Sequence, residues 1–219
     1  MRDGWAVVCD FDGTALTEDL GDAVSQHFAG HATWRRAEDE YRDGAFSFGE
    51  LLRRIFEPIT ASAAEIADFA RDRAVLRPGF EPFVAACALA GRPFVVCSAG
   101  LDVYIEPVLA RLAAPLRAHL ELRSNRAYCS PSGMRVEFHQ PARGDGCGRC
   151  GFCKGSVVRE LQAAGHKVVV CGDGTADRCA ADAADFVFAT RRLVDHCRER
   201  ALPYRPFLDF HEVMAHFPR

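Results

Sequence analysis

Four aspartates lie in two tight groups far apart in the chain: Asp10 and Asp12 in VVCDFDGTAL, and Asp173 and Asp177 in VVVCGDGTAD. Two carboxylates one residue apart repel each other unless a cation sits between them or one stays protonated. A cluster of oxygen donors with few nitrogen or sulfur neighbours suits Mg²⁺, a hard ion held by a few carboxylates together with phosphate oxygens. Asp10, Asp12, Asp173 and Asp177 are therefore candidate metal ligands. Ser98, the backbone amides of the Ser98-Ala99-Gly100 turn and the ammonium of Lys154 are candidates for holding anionic phosphate oxygens. All but two of the 27 basic side chains are arginine, so each of the two exceptions, Lys154 and Lys167, calls for a reason.

The elements that must position these groups are readable as well. WAVVCD (5–10), RPFVVCSAG (92–100) and KVVVCGDG (167–174) are short, apolar and rich in β-branched residues, and each ends in a polar set. Such runs predict buried strands. The segments 77–91, 101–114 and 154–166 predict helices between them; DFVFAT predicts a fourth strand, RRLVDHCRERA a helix and FLDFHEVMAHF a last short one. Strands alternating with helices of this length predict a parallel α/β sheet with right-handed crossovers, a doubly wound, Rossmann-like core. Residues 120–140 alternate, turn at Ser-Pro-Ser-Gly and alternate again, which predicts a β-hairpin. In an open α/β sheet the crevice outside the carboxyl ends of the strands takes the ligand, so the polar strand ends should converge there. Cys9 and Cys97 each precede a polar strand end and Cys171 lies two before Asp173, a pattern of small residues packed beneath one site.

Residues 16–74 differ in character: four helical patterns broken at Gly or Pro predict a small helical insertion after the first strand. The expected organisation is a core of 1–15 and 75–219 with a cap of 16–74. The 219 residues with 49% apolar content suffice for this, and ten cysteines in a chain of this length and apolar content do not suggest a disulfide scaffold. A net charge of −3 argues against a nucleic-acid or membrane-surface binder. With no long apolar span and no signal-like start, a cytoplasmic location is expected.

DFDGT, CSAG, Lys154 and GDGTAD, in that order, resemble the four motifs of the haloacid dehalogenase superfamily of phosphohydrolases. The resemblance spans nearly the whole chain, with the cap of 16–74 similar to that of phosphoserine-phosphatase-like members. It implies that Asp10 is a nucleophile taking the phosphoryl group as an aspartyl-phosphate, and that Asp12 protonates the leaving alcohol and then activates water. It implies Mg²⁺ held by Asp10, the Asp12 backbone carbonyl and Asp173, with Asp177 supporting the metal or positioning Lys154. Thr14 and Ser98 would bond phosphate or brace Asp10. Asp19 falls where phosphoserine phosphatases carry a substrate-binding glutamate, which argues against phosphoserine itself; a helix N-terminal acid is the other reading.

The tail DFVFATRRLVDHCRERALPYRPFLDF resembles that of the methionine-salvage 2-hydroxy-3-keto-5-methylthiopentenyl-1-phosphate phosphatases. GDGTADRC and FHQPARGDGCGRCGFCK are similar to segments of the phosphocholine/phosphoethanolamine phosphatases. The expected partner is a small phosphorylated metabolite, with the chain a monomer or homodimer. A phosphotransferase or phosphomutase could use the same parts. From another class, a non-catalytic binding protein could carry a zinc module at Cys147, Cys150 and Cys153, with His139 or Cys129 as fourth ligand. The alternative for that run is a reduced, glycine-rich loop that aims Lys154 into the crevice. Trp34, Tyr41, Phe46, Phe48 and Phe56 fit either a cap core or a pocket wall; His27 and His31 read as cap surface. Arg191 and Arg192 read as a solvated helix start.

Overall fold

A computed structural model describes residues 4–139 and 151–218. Strand β1 (Trp5–Cys9) is buried along its whole length. Four helices follow: α1 (Leu20–Ser25), α2 (His31–Arg42), α3 (Phe48–Phe56) and α4 (Ala63–Arg73). The chain then alternates through α5 (Phe80–Ala90), β2 (Phe94–Leu101), α6 (Asp102–Leu109) and α7 (Ala114–His119). Next come β3 (Leu120–Ser130), β4 (Gly133–Glu137), α8 (Lys154–Ala163) and β5 (Lys167–Gly172). The last elements are α9 (Arg178–Ala183), β6 (Phe186–Ala189), α10 (Arg191–Glu199), β7 (Tyr204–Pro206) and α11 (Phe210–Ala215).

The strands form one seven-stranded sheet in the order β4-β3-β2-β1-β5-β6-β7, parallel except where β4 runs against β3. Strand β1 lies at its centre with β2 and β5 on either side, so the chain leaves β1 toward one neighbour and later returns on the other. That switch of direction opens the crevice at the strands' carboxyl ends. The three central strands are covered by helices on both faces, which is why they read as unbroken Val/Ala/Cys runs rather than alternating ones. Cys9 and Cys171 are register partners on β1 and β5, and with Cys97 they are fully buried free thiols under the site. The second lysine, Lys167, starts β5 with its ammonium 5.5 Å from the centre of the Trp5 ring, far from the crevice.

Strand β3 does more than the sequence predicts. Its first half extends the parallel sheet beside β2, and its second half forms the expected hairpin with β4. The segment 101–114, predicted as one helix, ends at Leu109, and a separate α7 begins with Pro115 in its first turn. Proline is well suited to a first turn and unsuited to continuing a helix through it. Strand β7 has no sequence signal, because Pro206 cannot donate to a ladder; it is tolerated there since β7 is an edge strand.

In the insertion, Ser47 caps α3 by accepting from the Glu50 amide, and Ser62 forms a reciprocal capping box with Glu65 at the start of α4. Helix α3 is strongly amphipathic and buries Leu51, Leu52, Ile55 and Phe56. The chain leaves and rejoins the core at adjacent points. Leu16 and Leu76 form an antiparallel bridge, flanked by bonds from the Thr17 amide to the Val75 carbonyl (3.1 Å) and from the Arg77 amide to the Ala15 carbonyl (2.8 Å).

Candidate active site

After β1 the backbone makes one wide turn, closed by bonds from the Ala15 amide to the Asp10 carbonyl (3.2 Å) and from the Leu16 amide to the Phe11 carbonyl (2.9 Å). Gly13 turns it with φ of 71°, and a Cβ there would run into Asp173 Oδ2 and Arg191 Nη1. The turn's carbonyls are pinned from below by Arg77, which donates to Gly13 O at 2.6 Å, Thr14 O at 2.7 Å and Leu16 O at 3.3 Å.

Asp10 is 6% exposed, and both of its oxygens are engaged. Thr14 Oγ1 donates to Oδ2 at 3.1 Å, while the Lys154 ammonium donates to Oδ1. Lys154, at the N-terminus of α8, also donates to Asp177 Oδ1 at 2.6 Å. Asp177 Oδ2 in turn accepts from the amides of Asp173 (2.9 Å) and Gly174 (3.0 Å). Both oxygens of Asp177 are thus occupied in fixing the lysine and the strand end. Thr14 is fully buried and faces Asp10 rather than the cavity.

The charges do not balance. Carboxylate oxygens of Asp10, Asp173 and Asp177 all lie within 4.8 Å of one another, against one buried ammonium and the half-exposed guanidinium of Arg191, 3.2 Å from Asp173 Oδ2. Burial and Asp177 push Asp10 well above the usual carboxylate range, against the pull of Lys154, and burial and Asp177 lift Asp173 to about 6. Burial works against the Lys154 charge, but Asp10 and Asp177 outweigh it and hold the ammonium protonated. An all-oxygen cluster with surplus negative charge fits Mg²⁺.

Asp12 is held differently. Its Oδ1 accepts from the amides of Leu20 (2.9 Å) and Gly21 (3.3 Å) at the start of α1, and Oδ2 accepts from Tyr104 Oη at 3.0 Å. Burial, followed by the nearby Asp19 carboxylate, pushes it up to about 7. A carboxyl group in that range can both give and take a proton near neutrality.

On the other flank of β1, the β2–β3 register slips between Cys97 and Leu101, so Ser98, Ala99 and Gly100 bulge from the ladder at the crevice. Such a bulge re-aims backbone and side chains beside a site. The Gly100 amide donates to Ser98 Oγ at 2.9 Å, and buried Asn125 holds the bulge by donating from Nδ2 to the Ala99 carbonyl at 2.8 Å. A Cβ on Gly100 would overlap Tyr104 Oη and lie 3.1 Å from Asp12 Oδ2. Gly100→Ala is therefore expected to displace both groups and lower kcat/KM by roughly 10²-fold, as ångström-scale misplacement does. Steady-state kinetics beside a melting curve would check this; undiminished activity would mean the slot is less tight than it looks.

These groups line one cavity of about 430 Å³. The core contributes Asp10, Asp12, Ser98, Ala99, Gly100, Lys154, Asp173 and Asp177. Helix α3 of the insertion supplies an apolar wall of Phe48, Leu51, Leu52, Ile55 and Phe56, and α1 and α2 add Asp22, Glu38, Tyr41 and Arg42. Among the aromatics that fitted either role, Tyr41, Phe48 and Phe56 line the cavity, whereas Trp34 and Phe46 pack against the core. His27 and His31 are exposed. Asp19 also borders the cavity, but it is exposed and caps α1, accepting from the Asp22 amide at 2.8 Å. Arg191 and Arg192 both reach the cavity. Arg191 adopts φ of 48°, which turns it back toward Asp173 and the Thr17 carbonyl at 2.8 Å. Cys147 and Cys150 lie outside the described residues; Cys153 is buried and His139 is exposed, and the Asp10–Asp173–Asp177 group holds neither.

Sequence reasoning passes over Tyr104, Asn125 and Arg77. Tyr104 lies four residues after Gly100, and a glycine followed at that spacing by a large polar aromatic was the available signal. Asn125 and Arg77 act on backbone carbonyls distant in sequence, and nothing local marks them.

A haloacid dehalogenase-like hydrolase domain matches residues 7–182, and the chain belongs to that family. Its chemistry is that of a phosphomonoesterase. The relative from Brevibacillus brevis, 32% identical over 94% of this chain and 91% of its own length, is named 2-hydroxy-3-keto-5-methylthiopentenyl-1-phosphate phosphatase. So is one from Geobacillus kaustophilus, at 33% identity over 94% of this chain and 92% of that protein. In fold, the chain superimposes with a TM-score of 0.73 on a phosphoserine phosphatase solved as a phospho-aspartyl intermediate analogue, 16% identical and covering all of both chains. Among the described residues no helix is long and apolar enough to cross a membrane.

Proposed function

We propose that this chain hydrolyses 2-hydroxy-3-keto-5-methylthiopentenyl-1-phosphate through an aspartyl-phosphate on Asp10, with Mg²⁺ as cofactor. The observation that carries the substrate is that relatives matching 94% of the chain at 31–33% identity are named for it. The apolar wall of α3 supports it, since it would take a thioether-bearing carbon chain while the phosphate faces the strand ends.

A carboxylate oxygen of Asp10 attacks phosphorus, the bond from phosphorus to the substrate's enol oxygen breaks, and that oxygen takes the proton of Asp12. Water then gives a proton back to Asp12 and attacks the same phosphorus, freeing Asp10 and inorganic phosphate. Lys154, Ser98 and the backbone amides of the bulge hold phosphate oxygens as charge shifts onto them. Asp10, Asp173 and the Asp12 backbone carbonyl would hold Mg²⁺, which when bound offsets the clustered negative charge; Asp177 keeps Lys154 aimed. The cap shields the site from water during the first transfer. Such an enzyme would work in the cytoplasm, as a monomer or homodimer.

Asp22 and Glu38 in the same cavity favour a second reading, an aminoalkyl phosphate such as phosphoethanolamine, whose cation they would pair. Phosphate release from a panel including both substrates, phosphocholine, phosphoserine and sugar phosphates decides between them. Turnover is expected to be fastest with the methylthio substrate and to fall below about 1% in EDTA, recovering on adding Mg²⁺. A best substrate bearing an amine would overturn the first reading in favour of the second. Appearance of a phosphorylated acceptor alcohol instead of free phosphate would make the enzyme a phosphotransferase.

A further inference from the structure

We infer that the Tyr104 hydroxyl is a positioning group for Asp12, fixing the carboxyl oxygen that hands its proton to the departing alcohol. The inference rests on the phosphatase reading above. Asp12 Oδ1 is tied by two backbone amides, so Oδ2 is the oxygen left to carry a proton, and its protein partner is Tyr104 Oη at 3.0 Å. With Oδ1 bonded to the amides and one side of Oδ2 occupied by the phenol, the remaining direction at Oδ2 is toward the cavity that both residues line.

The place of the hydroxyl is built rather than incidental. Tyr104 is 1% exposed, and two glycines make room for its oxygen. A Cβ on Gly21, in α1 of the cap, would lie 2.7 Å from Oη, and one on Gly100, in the β2 bulge, would overlap it. The ring also stacks on Phe56 of α3, with centroids 6.1 Å apart and planes 26° from parallel. Tyr104 therefore touches the cap with its ring and the core's acid–base group with its oxygen.

The step that needs this positioning is departure of the alcohol. An alkyl oxygen leaves only if Oδ2 delivers a proton as the phosphorus–oxygen bond breaks. The p-nitrophenolate anion leaves without one. The test is Tyr104→Phe, which deletes one oxygen and keeps the ring, measured as kcat/KM on the best alkyl phosphomonoester of the panel and on p-nitrophenyl phosphate. This parameter reports steps up to alcohol release. A fall of roughly 10- to 10²-fold on the alkyl substrate is expected, a part of the 10²- to 10⁴-fold that general acid–base catalysis supplies. The fall on p-nitrophenyl phosphate should stay below about threefold, which sets a positioning role apart from a general loss of structure. Equal losses on both substrates, or no loss on either, would overturn the inference while leaving the phosphatase reading intact. A wild type that turned over no phosphomonoester would overturn both together.

Discussion

Asp10→Asn is expected to reduce phosphate release by roughly four orders of magnitude or more, the scale on which removing a covalent nucleophile acts. An amide is far too weak a nucleophile to form the phosphoryl-enzyme, and neither carboxylate clustered with it among the described residues is free to substitute. Asp173 and Asp177 lie within 4.8 Å, but Asp177 has both oxygens bonded to Lys154 and backbone amides, and Asp173 already pairs with Arg191. The variant should fold. It loses one pairing of Lys154, yet Asp177 keeps the ammonium bonded, and a carboxylate disappears from a cluster with surplus negative charge. Its melting temperature in EDTA should stay within a few degrees of wild type. The increase in melting temperature that Mg²⁺ gives the wild type should shrink, because one donor of the cluster is gone. Turnover within tenfold of wild type after purification would show that the nucleophile is elsewhere.

Lys154→Met tests the other half of the cluster, and its larger effect is on stability. Lys154 is 2% exposed and bonds Asp10 and Asp177, themselves 6% and 1% exposed. Removing the cation leaves two buried carboxylates facing each other, and breaking a buried ion pair from one side costs about 3–5 kcal/mol. The pH dependence has a definite sign. Burial and the facing Asp177 carboxylate already push Asp10 well above the usual carboxylate range, and without Lys154 the opposing pull is lost, so Asp10 binds its proton more tightly folded than unfolded. Stability tied to a raised pKa is present at low pH and is lost as pH rises through the folded value. The deficit of the variant should therefore be smaller at pH 5.5 than at pH 8. Urea unfolding in EDTA at the two values would measure it, and a deficit independent of pH would mean that the carboxylates have found other partners.

Asp10, Asp12, Ser98 and Asp173, which the structure brings to one cavity, were legible because they lie at or just past strand ends, where an unbroken apolar run gives way to a polar set, while Lys154 was marked only as one of two lysines and opens a helix. A parallel sheet brings such ends together whatever the intervening loops do. The cap was legible as helices but not as a wall: Leu51, Ile55 and Phe56 have the same spacing whether they face a core or a cavity, and they do both. Tyr104 was passed over because it sits on the buried face of α6 among apolar residues, its spacing from Gly100 being the one local mark. Its partner is 92 positions away, and the slot made by Gly21 and Gly100 exists only in three dimensions. Arg191 looked like the start of a solvated helix because charge at a helix end is the common case. Its left-handed backbone, which turns it inward, leaves no mark on composition.

The bridge between Leu16 and Leu76 has a consequence for how such a chain can change. The segment between them departs and returns through neighbouring backbone positions tied by hydrogen bonds, so the core needs only that two ends meet at one point. Closing a longer loop there costs little, about 0.6 kcal/mol for each doubling of length. The insertion is then an exchangeable cassette: a segment of different length and sequence could be spliced between the same two positions without disturbing the order of the strands. Transplanting a foreign cap would bring a new leaving-group pocket to the same phosphoryl-transfer chemistry. It would also remove Gly21, the Leu20 amide and Phe56 at once, so a graft keeps its acid–base group in register only if it restores their contacts to Asp12 and Tyr104.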